Sequence, residues 1–290
     1  MKKIIIDEEY AGVRFDRFAR KILVNFSLTD IFKAIRVGKI KVNGKKCKQD
    51  YRLKEGDEIN FFIDFKIEKQ NLSILNKNIK NKLKNIIVFE DENLFICNKP
   101  DNISVHAGTN SSENLLDLFR GYYNSENINF VNRIDKTTSG LLIGAKNIKT
   151  ARTLSEIIRN NGVTKKYYIL VCGNIKTNEF TIENYLKKGD SSVLLSEVER
   201  EGYKKSISKF YKLDSNEKYS LLEAELITGR THQLRVQLAD IGHPIVGDKK
   251  YNKYEKSNKM YLFSHFLSID LMNIEINLDV PEYFTKKFNS

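Results

Sequence analysis

The chain has 290 residues, 41% of them apolar and 30% charged, enough to bury a core in one medium domain with a small one beside it. Its 49 Lys and Arg against 37 Asp and Glu leave a net charge of +12, which points to an anionic partner, either nucleic acid or an acidic membrane face. No stretch is apolar for long enough to act as a signal or to span a bilayer, so a soluble, cytoplasmic protein with no membrane partner is expected.

Residues 1–64 read as a compact α/β module. Ile4-Ile5-Ile6 predict a short strand. After Gly12-Val13-Arg14, the apolar residues Phe15, Phe18, Ala19, Ile22 and Leu23 recur at helical spacing. Ser27 is a helix N-cap, with Asp30 in place as an acidic variant of the capping box. Ile31, Ala34 and Ile35 then face inward, and Gly38 ends the helix in the left-handed region. Residues 39–44 run into an Asn43-Gly44 hairpin turn, and residues 53–59 form a second turn before a last strand over 60–63. Lys33, Arg36, Lys39 and Lys41 gather near one helix end and the hairpin, where they can meet backbone phosphates. This order resembles an S4 domain, a small RNA-binding module, on Arg14, Asp16, Ser27, Ile35, Gly38, Val42, Asn43, Gly44, Gly56 and Asp57. Residues 65–84 are rich in Lys and Asn with weak periodicity and read as a loose linker.

From residue 85 the texture changes. Residues 86–89 and 94–97 predict two strands around an acidic turn. Asn98-Lys99-Pro100 follows, then Val105-His106 and Gly108, and residues 112–121 read as a helix with Leu115, Leu116, Leu118 and Phe119 to pack. The turn Asn132-Arg133-Ile134-Asp135-Lys136-Thr137-Thr138-Ser139-Gly140 feeds an apolar run over 141–145. It holds one carboxylate at the end of a rigid element, although an Asp ahead of Thr and Ser also commonly bonds its own turn backbone. Residues 150–160 are helical, with Ala151, Leu154, Ile157 and Ile158 on one face and Asn161-Gly162 as the stop. Residues 165–173 and 219–226 are strands. Gly229 lets the second of these turn, and Arg235 lies on the helix that follows.

Four stretches together resemble the RluA family of pseudouridine synthases. Arg133, Asp135, Thr138, Ser139 and Gly140 fit its His-Arg-Leu-Asp-x-x-Thr-Ser-Gly motif in register, with Asn132 and Ile134 as departures. Lys99, Pro100, Val105 and His106 fit a Lys-Pro-x-Gly-x-x-Val-His element, with Asn102 at the glycine position, where Asn also tolerates positive φ. Tyr167 sits in a Lys-x-Tyr strand that has Ile169 in place of Ala. Gly229-Arg230-Thr231-His232-Gln233-Leu234-Arg235 and Gly242-His243-Pro244-Ile245-Val246-Gly247-Asp248 complete the set. Leu262-Phe263-Ser264-His265 resembles a Leu-His element near the family's C-terminus. The resemblance implies an α+β fold with a mixed, mostly antiparallel central sheet.

It also implies the chemistry. Asp135 is the catalytic nucleophile, Arg235 the cation that keeps it ionised, and Tyr167 a flat face for a pyrimidine plus a hydroxyl. Arg133 fills the space that a flipped uridine vacates. Breaking the uracil–ribose C–N bond, turning the ring and rejoining C5 to C1′ needs no redox partner and no cofactor. Asp135 either adds to C1′ or to uracil C6, or removes a C2′ proton to give a glycal. Leaving the stack costs the target a few kcal/mol and favours loops over stems.

Cys47, Cys97 and Cys172 are far apart, which argues against a disulfide framework or a Cys zinc site. His106, His232, His243 and His265 lack metal-ligand spacing and are expected to be structural. The expected organisation is an S4-like RNA-binding domain over 1–64, a linker over 65–84 and a catalytic domain over 85–290 in a monomer. The expected substrate is large-subunit ribosomal RNA. Transfer RNA is the alternative within the class, and a non-catalytic RNA-binding or ribosome-assembly factor is the alternative outside it.

Overall fold

The computed structural model describes residues 2–64, 75–107, 113–190, 192–253, 255 and 257–290. Its N-terminal module carries strand β1 (Lys2–Ile5), helices α1 (Phe15–Ile22) and α2 (Leu28–Val37), and strands β2 (Ile40–Val42) and β3 (Glu58–Phe61). The strands pair antiparallel in the order β1-β3-β2. The Ser27 hydroxyl accepts from Asp30 N at 3.1 Å, and Gly38, at φ 81°, closes α2. Asn43 and Gly44 both hold positive φ, and Val42 and Lys45 exchange backbone bonds across them, the geometry of a two-residue hairpin turn. The final strand begins at Glu58, two residues earlier than expected, because Glu58 pairs with Ile5. Phe15, Phe18, Ile31, Ile35, Ile59 and Phe61 form the core of the module.

The linker expectation needs correction. Residues 65–74 lie outside the described residues, but the second half is ordered as helix α3 (Lys77–Ile86), which the Asn76 side chain caps by accepting from Ile79 N at 2.9 Å. Ile79, Leu83 and Ile86 follow each other at four and three residues, a single apolar stripe that lysines and asparagines dilute in the sequence. The stripe packs into the core of the larger part of the chain, so α3 belongs to that part.

The larger part is built on β4 (Ile87–Glu90), β5 (Leu94–Lys99), α4 (Leu115–Tyr123), β6 (Asn129–Phe130), β7 (Ser139–Ala145), α5 (Ile148–Arg159), β8 (Thr164–Cys172), β9 (Glu179–Lys188), β10 (Val193–Ser196), β11 (Lys204–Ser215), β12 (Tyr219–Leu226), α6 (Gln233–Asp240), β13 (Leu262–Ile269), β14 (Ile274–Asn277) and α7 (Glu282–Phe288). Eleven strands form one sheet in the order β10-β9-β11-β12-β8-β13-β7-β5-β4, with β6 on β7 and β14 on β13. All pairings are antiparallel except that of β13 with β7. The α+β class and the mixed, mostly antiparallel sheet are as expected. The helix expected over 112–121 starts at Leu115, capped by Asn114, while Gly108 and Ser112 lie outside the described residues.

Where β7 crosses β13, Gly140 holds φ 112° and a Cβ there would lie 2.2 Å from the Ser264 carbonyl oxygen. Only glycine fits such a crossing. The N-terminal module rests on α5. Arg152 donates to the carbonyls of Ala11 and Glu9, Lys149 pairs with Glu8 at 2.7 Å, and Lys21 donates to Asn127 at 2.6 Å.

Candidate active site

The turn that carries Asp135 is held from three sides. Its own Thr138 N–H donates to the Asp135 carbonyl at 3.1 Å. The Asn132 side chain accepts from Ile143 N on β7 at 2.8 Å, so the residue that departs from the family's His ties the turn to the sheet. Lys99, fully buried, donates to the carbonyls of Pro100, Ile103 and Lys136 at 2.8, 3.0 and 3.1 Å. All three ammonium protons are therefore used, and burial brings this lysine down to about 8. Asn102, in the adjoining loop, takes φ 61°, the conformation that glycine would supply.

Arg235 comes from the opposite half of the sheet. The segment between β12 and α6 turns not at Gly229, which keeps an ordinary φ, but at His232, which holds φ 53° as the N-cap of α6. Gln233 sews the turn down: its side-chain oxygen accepts from Thr228 Oγ1 and Arg230 N, and its amide donates to the Ile207 carbonyl and Ser208 Oγ. Arg235 follows within the next turn of helix. Its Nη1 donates to Asp135 Oδ2 at 2.7 Å. Its Nε and Nη2 donate to the two oxygens of Asp248 at 2.7 and 2.9 Å. Asp248 is buried and also accepts from Lys250 N and Tyr251 N. Burial disfavours both charges. The bonds between Arg235 and Asp248 outweigh it, holding the guanidinium above and the Asp248 carboxyl below their ordinary ranges.

Tyr167 lies on β8 between Ala224 of β12 and Ser264 of β13 and is buried. Burial pushes its hydroxyl up to about 12. Asp135, Tyr167 and Arg235 line one cavity of about 690 Å³. Arg133, Arg159, Lys165 and Arg230 line it too, a basic mouth suited to a polyanion. The carboxylate of Asp135 is 29% exposed and faces this cavity. Arg133 is exposed. Lys33, Arg36 and Lys39 are exposed on the N-terminal module, and the ammonium of Lys41 stands 5.1 Å over the ring of Phe62.

Two residues of the site were missed by sequence reasoning. Asp248 is legible as part of a motif, but its role shows only in the contact with Arg235. His232, expected to be structural, places Nε2 3.7 Å from Asp135 Oδ2, while its Nδ1 shares a hydrogen bond of 2.9 Å with the Tyr251 hydroxyl. His243 bonds the Cys172 carbonyl, and His265 stacks on Tyr168 with ring centroids 3.6 Å apart. Among the described residues no group of three His, Cys, Asp or Glu is placed to hold a metal ion, and no helix is long and apolar enough to cross a membrane.

Comparison with known proteins gives the family and the fold. The family model for RNA pseudouridylate synthase matches residues 93–240, and the model for the S4 domain matches residues 13–59. The chain is 35% identical over 289 residues to a protein of Buchnera aphidicola subsp. Schizaphis graminum named ribosomal large subunit pseudouridine synthase C, covering 94% of this chain and 90% of that one. It is 34% identical over 250 residues to the protein of the same name from Vibrio parahaemolyticus, covering 85% of this chain and 78% of that one. Among solved structures, human RNA pseudouridylate synthase domain containing 4 shares the fold with a TM-score of 0.62 at 21% identity, over 73% of this chain and 95% of that one.

Proposed function

The chain belongs to the RNA pseudouridylate synthase family and is an RNA pseudouridine synthase, and from that premise we propose that it isomerises uridines of large-subunit ribosomal RNA with Asp135 as the nucleophile. Relatives named as ribosomal large subunit pseudouridine synthase C, aligned over most of the chain, support the choice of substrate. The observation that carries the site assignment is the 2.7 Å bond from Arg235 Nη1 to Asp135, made at the wall of a cavity that Tyr167 also lines.

The steps follow from the positions of these groups. A flipped uridine enters the cavity with its ring against Tyr167, and Arg133 at the rim takes the place it leaves in the stack. Asp135 then promotes breakage of the bond between C1′ and N1, the uracil turns, and C5 rejoins C1′. Arg235 keeps the carboxylate charged and aimed, since a fixed cation in a sheltered site costs no reorganisation at the moment of reaction. The exposed Lys33, Arg36, Lys39 and the cation of Lys41 hold RNA phosphates from the N-terminal domain, taken as residues 1–64. Residues 85–290, with α3 packed against them, form the catalytic domain, and the enzyme works as a cytoplasmic monomer. The Asn132 tie to β7 and the positive φ of Asn102 keep both departures from the family motifs compatible with an intact site, which weighs against a non-catalytic scaffold.

Pseudouridine mapping on total RNA from a strain lacking the gene tests the reading. Large-subunit positions should disappear on deletion, return with the wild-type gene and stay absent with Asp135→Asn. Their return with Asp135→Asn would remove the nucleophile assignment. Loss confined to transfer RNA would remove the ribosomal substrate.

A further inference from the structure

Pseudouridine formation has a proton to move. When the anionic uracil has turned and C5 has attacked C1′, releasing Asp135 as a free carboxylate, C5 carries both its hydrogen and the new C–C bond, and N1 is doubly bonded to C6. The C5–H bond must then break. Its electron pair restores C5=C6, the C6=N1 pair returns to nitrogen, and N1 takes up a proton. No oxidant or reductant is required, but a group that can both accept and release a proton is.

The cavity offers few such groups. Asp135 is released as a carboxylate held by Arg235, and Arg235 is locked between two acids. Tyr167 is buried, and its hydroxyl keeps its proton far above neutrality. His232 differs. Its Nε2 lies 3.7 Å from Asp135 Oδ2, inside the same cavity. Its Nδ1 is held by the Tyr251 hydroxyl, a partner that can donate or accept. Tyr251 itself is anchored through its N–H to Asp248 and lies under the Arg235 guanidinium, with 5.2 Å from ring centroid to the arginine carbon. The imidazole can therefore exchange its proton between nitrogens without moving. A histidine in left-handed backbone at a helix start is an uncommon conformation, and it aims this ring at the acid.

We infer that His232 is the proton carrier of the isomerisation: Nε2 takes the proton from uracil C5 after the C–C bond has formed, and the imidazolium gives it up to N1 or to water. This rests on the reading of Asp135 as the nucleophile. Around His232 stand Asp135 from the catalytic turn, Arg235 and Asp248 behind it, and Lys250 and Tyr251 from the segment after α6. Burial, with the charges of Arg235 and Lys250, keeps the ring neutral near pH 7 against the pull of Asp135, the state in which it can accept a proton.

The test uses RNA from a gene-deleted strain fed uracil deuterated at C5, which contains every natural substrate. Wild-type enzyme, His232→Asn and His232→Gly are compared in single turnovers, since Asn and Gly both accept the backbone at this position. His232→Asn should be about a hundredfold slower or more, with a normal deuterium isotope effect that the wild type lacks. Added imidazole should restore His232→Gly. A slow His232→Asn without an isotope effect, or His232→Gly that imidazole does not rescue, overturns the inference. An isotope effect that appears in Lys165→Met instead transfers the role to that lysine and overturns it as well. Turnover by Asp135→Asn on the same RNA would strike the nucleophile reading itself, a separate outcome.

Discussion

Asp248 grips Arg235 through two bonds of 2.7 and 2.9 Å and leaves a single guanidinium nitrogen, Nη1, for Asp135. The Asp135 turn therefore meets a cation whose direction is set from behind. Lysine, a point charge with no fork, cannot make both connections.

Removing the grip should hurt the fold and the chemistry together. Asp248→Ala leaves a buried guanidinium short of an acceptor, at a cost of about 3–5 kcal/mol in denaturant unfolding. Its single-turnover rate should fall while RNA affinity holds, and Arg235→Lys should resemble it rather than the wild type. The Asp248 carboxyl is held below its ordinary value in the folded state. Its contribution is thus full above the unfolded carboxylate range and fades as pH drops through the folded value. The stability gap between wild type and Asp248→Ala should be constant from pH 5 to 8 and close only in strong acid.

Lys99 titrates in the same sense at higher pH. Its folded value of about 8 lies below that of a free lysine, so between about 8 and 10.5 the unfolded chain binds a proton that the folded chain does not. Through this window the lysine becomes progressively less costly to bury. Wild-type stability relative to Lys99→Met should rise across it. Activity should fall over the same range, because a neutral amine has two protons for three carbonyls. Unfolding and rate measurements at matched pH would check both trends.

Charge on the N-terminal module should act on binding alone. Lys33→Ala, Arg36→Ala and Lys39→Ala remove exposed cations, so melting temperatures should stay put. Each should flatten the slope of log affinity against log salt by about 0.7–0.9 for RNA in filter binding. Rates at saturating RNA should match the wild type.

Two glycines separate strain from collision. Gly44, at φ 72°, has open space where a Cβ would go, so Gly44→Ala should cost only backbone strain of about 1 kcal/mol. Gly140, at φ 112°, would drive its Cβ into the Ser264 backbone, so Gly140→Ala should cost several times more and prise β7 from β13. Thermal melts of the two variants would give the ratio.

What the sequence made legible follows the reach of its patterns. Asp135, Tyr167 and Arg235 stand in rigid motifs, and those motifs single them out without any contact. His232 stands in the same motif, but a single histidine without metal spacing gave no sign that left-handed backbone would aim it at Asp135. Asp248 lies 13 residues from Arg235 across a turn that no periodicity specifies. Helix α3 was hidden because its apolar stripe has only three members among lysines and asparagines, and it gains its stability from packing rather than propensity.

The sheet order carries one further consequence. Within the sheet Asp135 is anchored through β7 and β5, and Arg235 through β12 and β8, and β13 inserts between β8 and β7 to join these halves. Residues 262–269 are thus a keystone. A growing chain that has not yet delivered them lacks the strand that seats its carboxylate wing against its guanidinium wing, and it should be inactive toward RNA.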